Sequence, residues 1–217
     1  MTQILSRFKE LPILGILRDI KEEHLPSLAD SILTSGLKSV EITMNTPHAA
    51  TLIRKMIYLS NDNLLIGAGT VLNKQDMFDA LEAGACFIVT PVVNKDVIEY
   101  CQSNTIPIFP GALTPTEIYA AWSLGASMVK VFPASLFGPS YIKEIKAPLN
   151  RIELMPVGGI TSKNIAEYFK MGASAAAFGA SIFRKEYIKS DRFDLITEEI
   201  KKLISAYKNP ATLTFNA

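Results

Sequence analysis

Two charged residues stand where apolar neighbours leave them little contact with water. Lys130 lies inside Met128-Val129-Lys130-Val131-Phe132 and Glu41 inside Val40-Glu41-Ile42-Thr43-Met44. Both segments have the apolar and β-branched make-up of strands. An ammonium confined among apolar groups loses hydration, its pKa falls, and the neutral amine becomes a nucleophile toward a carbonyl carbon. The competing reading of Lys130 is a strand-end lysine whose stem is covered while its head reaches solvent or a carboxylate. Glu41 has two readings as well, a structural buried salt bridge or an acid–base group. Period two puts Glu41, Thr43 and Asn45 on one face of the strand and Val40, Ile42 and Met44 on the other. An amine and a carboxylate that meet are the minimum for iminium chemistry with proton transfer.

Arg18 closes the apolar run Ile13–Arg18. Its planar guanidinium suits a carboxylate or a phosphate, although a solvated loop arginine is the commoner use of the residue. Gly158-Gly159, with Thr161 read as a helix start, and Gly179-Ala180-Ser181 end the last two apolar runs. Exposed amides in such turns, with the positive end of a following helix, can bind an anion without a basic side chain; tight turns alone are the alternative. His24 and His48 fall outside the strand-like runs, and no HxH or HxxxH pair is present. A zinc site is therefore not expected, while a carboxylate-only Mg²⁺ site stays open.

These residues must be carried by something, and the chain repeats one unit. Strands are expected at Ile13–Arg18, Ser39–Met44, Leu64–Thr70, Phe87–Thr90, Pro107–Pro110, Met128–Phe132, Glu153–Val157 and Ala175–Gly179. Helical spacing of apolar residues follows at Leu25–Ser35, His48–Leu59, Lys74–Ala83, Lys95–Ser103, Pro115–Leu124, Pro139–Ala147, Ser162–Met171 and Arg192–Tyr207. Thr114-Pro115-Thr116-Glu117 is a capping box with proline at the first helical position, and Gly36, Gly84, Gly125 and Gly172 can close helices in the left-handed region. Eight βα units with nearly all-apolar strands favour a single-domain (β/α)₈ barrel over residues 1–217. A doubly wound open sheet is second, because Gly67-Ala68-Gly69 follows the third strand and lacks the third glycine of a dinucleotide turn.

With 217 residues, 48% of them hydrophobic, the chain can bury a sizeable core. Twenty-two Lys and Arg against 21 Asp and Glu give no electrostatic reason for a nucleic acid or membrane partner, which leaves small molecules. Met1 to Glu10 lacks the uninterrupted apolar stretch of a signal peptide, and Cys86 and Cys101 form no CxxC. A reducing, cytoplasmic setting is the default expectation.

Taken together, Ile16-Leu17-Arg18, Val40-Glu41-Ile42-Thr43, Gly67-Ala68-Gly69-Thr70-Val71-Leu72, Val89-Thr90-Pro91, Pro110-Gly111, Lys130-Val131-Phe132-Pro133-Ala134 and Val157-Gly158-Gly159-Ile160 form a specific set. Over nearly the whole chain it resembles the 2-keto-3-deoxy-6-phosphogluconate aldolases, with 4-hydroxy-2-oxoglutarate aldolase and the phosphogalactonate variant. The resemblance implies Lys130 as the Schiff-base lysine, Glu41 as proton shuttle, and Thr70 and Arg18 near the pyruvyl carboxylate. It further implies Pro91 and Phe132 as pocket walls, phosphate at Gly158, Gly159 and Ser181 with Gly179 in the same loop, no cofactor, and a homotrimer. Two segments depart from the family patterns: Asn45 stands where the gluconate-type pattern has an arginine, and Gly179-Ala180-Ser181-Ile182 replaces the eighth-strand Gly-Gly-Ser-Trp. Asn45 with Arg18 is similar to the galactonate-type pattern, as is Phe137-Gly138-Pro139-Ser140-Tyr141-Ile142-Lys143. The residues themselves also admit a phosphate-binding isomerase or epimerase with Glu41 as base, and a sugar-phosphate binding barrel without catalysis.

Overall fold

The computed structural model describes residues 2–209; the expected domain, 1–217, extends beyond them at both ends. Helix and strand alternate: α1 Gln3–Glu10, β1 Ile13–Leu17, α2 Leu25–Ser35, β2 Ser39–Thr43, α3 Ala49–Ser60, β3 Leu65–Gly69, α4 Lys74–Glu82, β4 Ile88–Thr90 and α5 Lys95–Ser103. There follow β5 Ile108–Ala112, α6 Pro115–Ser123, β6 Val129–Val131, α7 Pro139–Lys146, β7 Leu154–Pro156, α8 Ile165–Lys170, β8 Ala176–Phe178, α9 Lys185–Lys189 and α10 Phe193–Lys208. All neighbouring strands are parallel in the order β7-β6-β5-β4-β3-β2-β1-β8, and a bridge from Val157 to Ala177 closes the ring. This is the expected (β/α)₈ barrel.

The local signals act where the sequence places them. Thr114 and Glu117 form both halves of the capping box, and Gly36, Gly84, Gly125 and Gly172 have φ of 83°, 96°, 99° and 101°. Strand ends differ by a residue or two from the expected bounds, and that displacement matters. Arg18, Thr70, Phe132 and Gly179 each lie one residue past a strand, in the loops of the C-terminal mouth. β2 ends at Thr43, so Asn45 stands in an exposed turn and not on the face shared by Glu41 and Thr43.

Two cores follow from the alternation of strand side chains. The outer one joins Ile13, Leu17, Val40, Ile42, Ile66, Ile88, Ile108, Val129 and Leu154 to the surrounding helices. The inner one holds Leu14, Leu65, Phe87, Val89, Phe109, Met128, Met155 and Val157, together with Phe8 from α1. Helix α1 was not expected; Thr2 caps it, and it closes the N-terminal end of the barrel. Its Phe8 ring lies 5.3 Å from Phe109 and 6.5 Å from Phe87, and Lys9 bonds Glu153 at 2.6 Å. Helix α9, five residues long, was also unforeseen.

Candidate active site

β2 and β6 stand on opposite sides of the ring, four strands apart by either route. Glu41 and Lys130 are their inward side chains, and they are almost inaccessible, 1% and 4% exposed. Room for Glu41 comes from the neighbouring strand: a side-chain carbon added at Gly69 would lie 2.1 Å from the Glu41 Oε1. Gly67, two residues earlier, makes the same allowance for Phe87, whose ring would be 2.2 Å from such a carbon. Gly67-Ala68-Gly69 is therefore a pair of inward gaps in a barrel strand, which explains why it is no dinucleotide turn.

Among the described residues neither carboxylate oxygen of Glu41 has a hydrogen-bond partner, and no ion pair within 4.0 Å joins it to Lys130. A buried carboxylate left unbonded costs several kcal/mol by order of magnitude, so a structural salt bridge does not account for its presence. The two groups nevertheless feel each other. Burial pushes the Glu41 carboxyl above its ordinary pKa, while the charges of Lys130 and Arg18 pull it down. Burial likewise lowers Lys130, the Glu41 charge raises it, and Arg18 lowers it further. Both groups are thus biased toward neutral forms, an amine able to attack and a carboxyl able to exchange a proton.

The mouth supplies the remaining groups. The Phe132 ring, 41% exposed, lies 5.3 Å from Lys130 Nζ. Arg18 Nη2 donates to Thr70 Oγ1 at 3.3 Å, a link from the end of β1 to the end of β3 that passes over the end of β2. Thr70 has φ 54°, a left-handed conformation that a β-branched residue rarely adopts. Such strain gathers at functional sites. Pro91 backs onto β5, where a carbon added at Gly111 would fall 2.4 Å from the Pro91 carbonyl oxygen, and Gly111 is in register with Lys130.

The two glycine turns are joined: Ser181 Oγ donates to the Ile160 carbonyl at 2.7 Å. Gly158 and Gly159 have φ of 105° and 72°, which favours glycine at both positions. The regular helix starts later than expected: α8 begins at Ile165 and is six residues long, and Thr161 heads the turn before it, its Oγ1 accepting from the Lys163 amide at 3.3 Å and its own amide donating to Asn164 Oδ1, while Asn164 donates to the Gly159 carbonyl. Loop amides, and not a helix terminus, are what this region offers an anion. The amides of Gly159, Ala180 and Ser181 donate to no acceptor among the described residues. Among the same residues, no three His, Cys, Asp or Glu side chains converge. Burial raises the Cys86 thiol to about 11 and the Cys101 thiol to about 12, so neither is an activated nucleophile.

Sequence reasoning therefore found the central pair but missed the glycines that accommodate it. An alternate-residue G-x-G inside an apolar strand was the available signal.

Comparison with known proteins agrees with this geometry. The family model described as KDPG and KHG aldolase matches residues 4–199. The chain is 37% identical over 177 residues to the 2-dehydro-3-deoxy-6-phosphogalactonate aldolase of Escherichia coli K12, covering 81% of this chain and 86% of that protein. It is 33% identical over 207 residues to the 2-dehydro-3-deoxy-phosphogluconate aldolase of Haemophilus influenzae, covering 95% and 97%. Its fold superposes with a TM-score of 0.85 on the KDPG aldolase of Legionella pneumophila with pyruvate captured as a covalent carbinolamine, at 29% identity over 93% of this chain and 98% of that one. The barrel, its inward amine and carboxylate, and a family match spanning most of the sequence lead to one assignment: the chain belongs to the KDPG and KHG aldolase family.

Proposed function

We propose that this enzyme, an aldolase by family, cleaves 2-keto-3-deoxy-6-phospho sugar acids of the gluconate or galactonate type without a metal or cofactor, and also 4-hydroxy-2-oxoglutarate. The observation that carries the reading is the buried, unpaired Lys130 and Glu41 on opposite barrel walls. Lys130 Nζ attacks the C2 ketone, Glu41 assists loss of water from the carbinolamine, and an iminium forms. Glu41, directly or through a water, then takes the proton of the C4 hydroxyl. The C3–C4 bonding pair moves into the iminium, which becomes an enamine as D-glyceraldehyde 3-phosphate leaves, or glyoxylate from the shorter substrate. Protonation at C3 and hydrolysis release pyruvate and restore the amine.

Arg18 and Thr70 hold the pyruvyl carboxylate in this scheme, Pro91 and Phe132 flank the reacting carbons, and Gly158, Gly159, Gly179 and Ser181 receive the phosphate. Support for the last group comes from the amides of Gly159, Ala180 and Ser181. A homotrimer is part of the proposal; Leu72, Phe78 and Val92, exposed on the loops and helix after β3 and β4, suit a subunit contact. A cytoplasmic setting is supported by two free cysteines.

Borohydride reduction in the presence of pyruvate tests the mechanism. It should add irreversible mass to the peptide containing Lys130, and Lys130→Arg should abolish both labelling and turnover, because a guanidinium stays protonated. Labelling elsewhere, or near-normal turnover in the variant, would overturn the Schiff base on Lys130. Turnover of phosphosugars without any trapping would favour an isomerase in which Lys130 acts only by its charge.

A further inference from the structure

The turn after β2 carries a buried hydroxyl chain that the steps above leave unused. Thr46 is buried, and its Oγ1 lies 2.9 Å from Thr43 Oγ1. The same oxygen accepts a hydrogen bond from the Asp19 amide at 3.0 Å. An amide can only donate, so Thr46 Oγ1 is the acceptor for Asp19, and between the two threonine hydroxyls either can be the donor.

Asp19 immediately follows Arg18 and has φ 56°, a left-handed conformation that L residues adopt at a cost. Its carboxylate meets Lys185, at the start of α9, at 2.5 Å. The backbone beside Arg18 is thus held on two sides, by a buried hydroxyl and by an exposed ion pair. Exposed pairs contribute little, so the hydroxyl is the firmer of the two. The guanidinium has one polar contact of its own among the described residues, the 3.3 Å bond to Thr70. Its direction across the mouth is inherited from the backbone that carries it.

We propose that Thr46 is a positioning residue: through the Asp19 amide it aims Arg18 at the carboxylate of the 2-keto acid. The proposal rests on Arg18 being the carboxylate-binding cation. Thr46→Val keeps the shape of the side chain but leaves the Asp19 amide without its acceptor. The KM for pyruvate in the condensation direction should rise roughly tenfold, the scale of one unsatisfied buried donor. At saturating pyruvate, kcat and the extent of Lys130 trapping should be unchanged. Thr46→Ser, which restores the acceptor, should restore KM.

Arg18→Lys, measured in parallel, separates the role of Thr46 from that of Arg18. In its background Thr46→Val should add little, since both act through one group. A folded Thr46→Val with wild-type KM, or one that lowers kcat and leaves KM alone, overturns the positioning role while the reading of Arg18 stands. Full additivity with Arg18→Lys overturns it too. If Arg18→Lys itself binds pyruvate as wild type does, the carboxylate reading fails and the proposal falls with it. Should Thr46→Val not fold, Thr46→Ala against Thr46→Ser makes the same comparison of acceptor lost and acceptor kept.

Discussion

At the N-terminal end of the barrel, Phe8, Phe87 and Phe109 fill the interior with rings 5.3 to 6.5 Å apart, and α1 lies across them. At the C-terminal end the same interior holds a lysine and an unbonded carboxylate, with an arginine and a strained threonine at the rim. One end gains from burial and ring contacts; the other gives up burial energy to keep two groups near neutrality. The contrast shows how a single set of strands divides its labour along its length. Residues near the start of a strand hold the barrel closed, and those near its end face the chemistry.

The largest expected effect is at the polar end. Glu41→Gln keeps the shape of the side chain but cannot exchange a proton, so turnover should fall by about 10²–10⁴-fold. The same variant reads the coupling. Burial already holds Lys130 below the ordinary lysine value of 10.5, and the Glu41 charge pulls it back up. Where the carboxyl has ionised, the amide removes that charge and should therefore move the midpoint of pyruvate trapping to lower pH. An upward shift, or a wild-type midpoint at 10.5 or above, would break the account of the pair.

Next comes the aromatic end. Phe8→Ala should destabilise the fold by about 3–5 kcal/mol in urea titration, as large-to-small aromatic changes in cores do. Turnover of the remaining folded enzyme should be close to wild type. A variant of normal stability, or a folded one without activity, would erase the distinction between the two ends.

Smaller, and sharper, is a paired test on one strand. Gly67→Ala presses on the Phe87 ring and Gly69→Ala on the Glu41 carboxylate. Each should cost about 1–3 kcal/mol of stability by overpacking. Only Gly69→Ala should also depress kcat, because only there is the displaced group one that the proposed mechanism uses. Equal kcat values in the two variants would show that the position of Glu41 is not critical.

Much of this was legible in the sequence, and the reasons are physical. The eight strands were found because parallel barrel strands, buried on both faces, are nearly all apolar, which makes a lysine or glutamate within them conspicuous. Helix α1 escaped because no strand precedes it among the described residues and its role, placing Phe8 under the barrel, exists only once the barrel is closed. Thr161, shortly after two glycines, looks like a helix cap, and its Oγ1 does accept from the Lys163 amide, yet that bond closes only a turn and the regular helix begins at Ile165. The link from Asp19 to Thr46 joins residues 27 apart on adjacent βα loops, and no local pattern announces such a contact.

The unbonded carboxylate of Glu41 also bears on how this sequence can change over generations. Its pKa rises on folding, so the folded chain holds the proton more tightly than the unfolded one. Stability is then fullest below the ordinary carboxylate value and declines as pH climbs through the raised one. Near neutral pH the residue proposed to move the proton is among the least favourable for the fold, and an apolar side chain of similar size would suit the barrel better. A lineage selected for heat resistance alone would lose Glu41 before it lost Phe8. Position 41 is therefore a place where relaxing the demand for the aldolase should favour an apolar replacement.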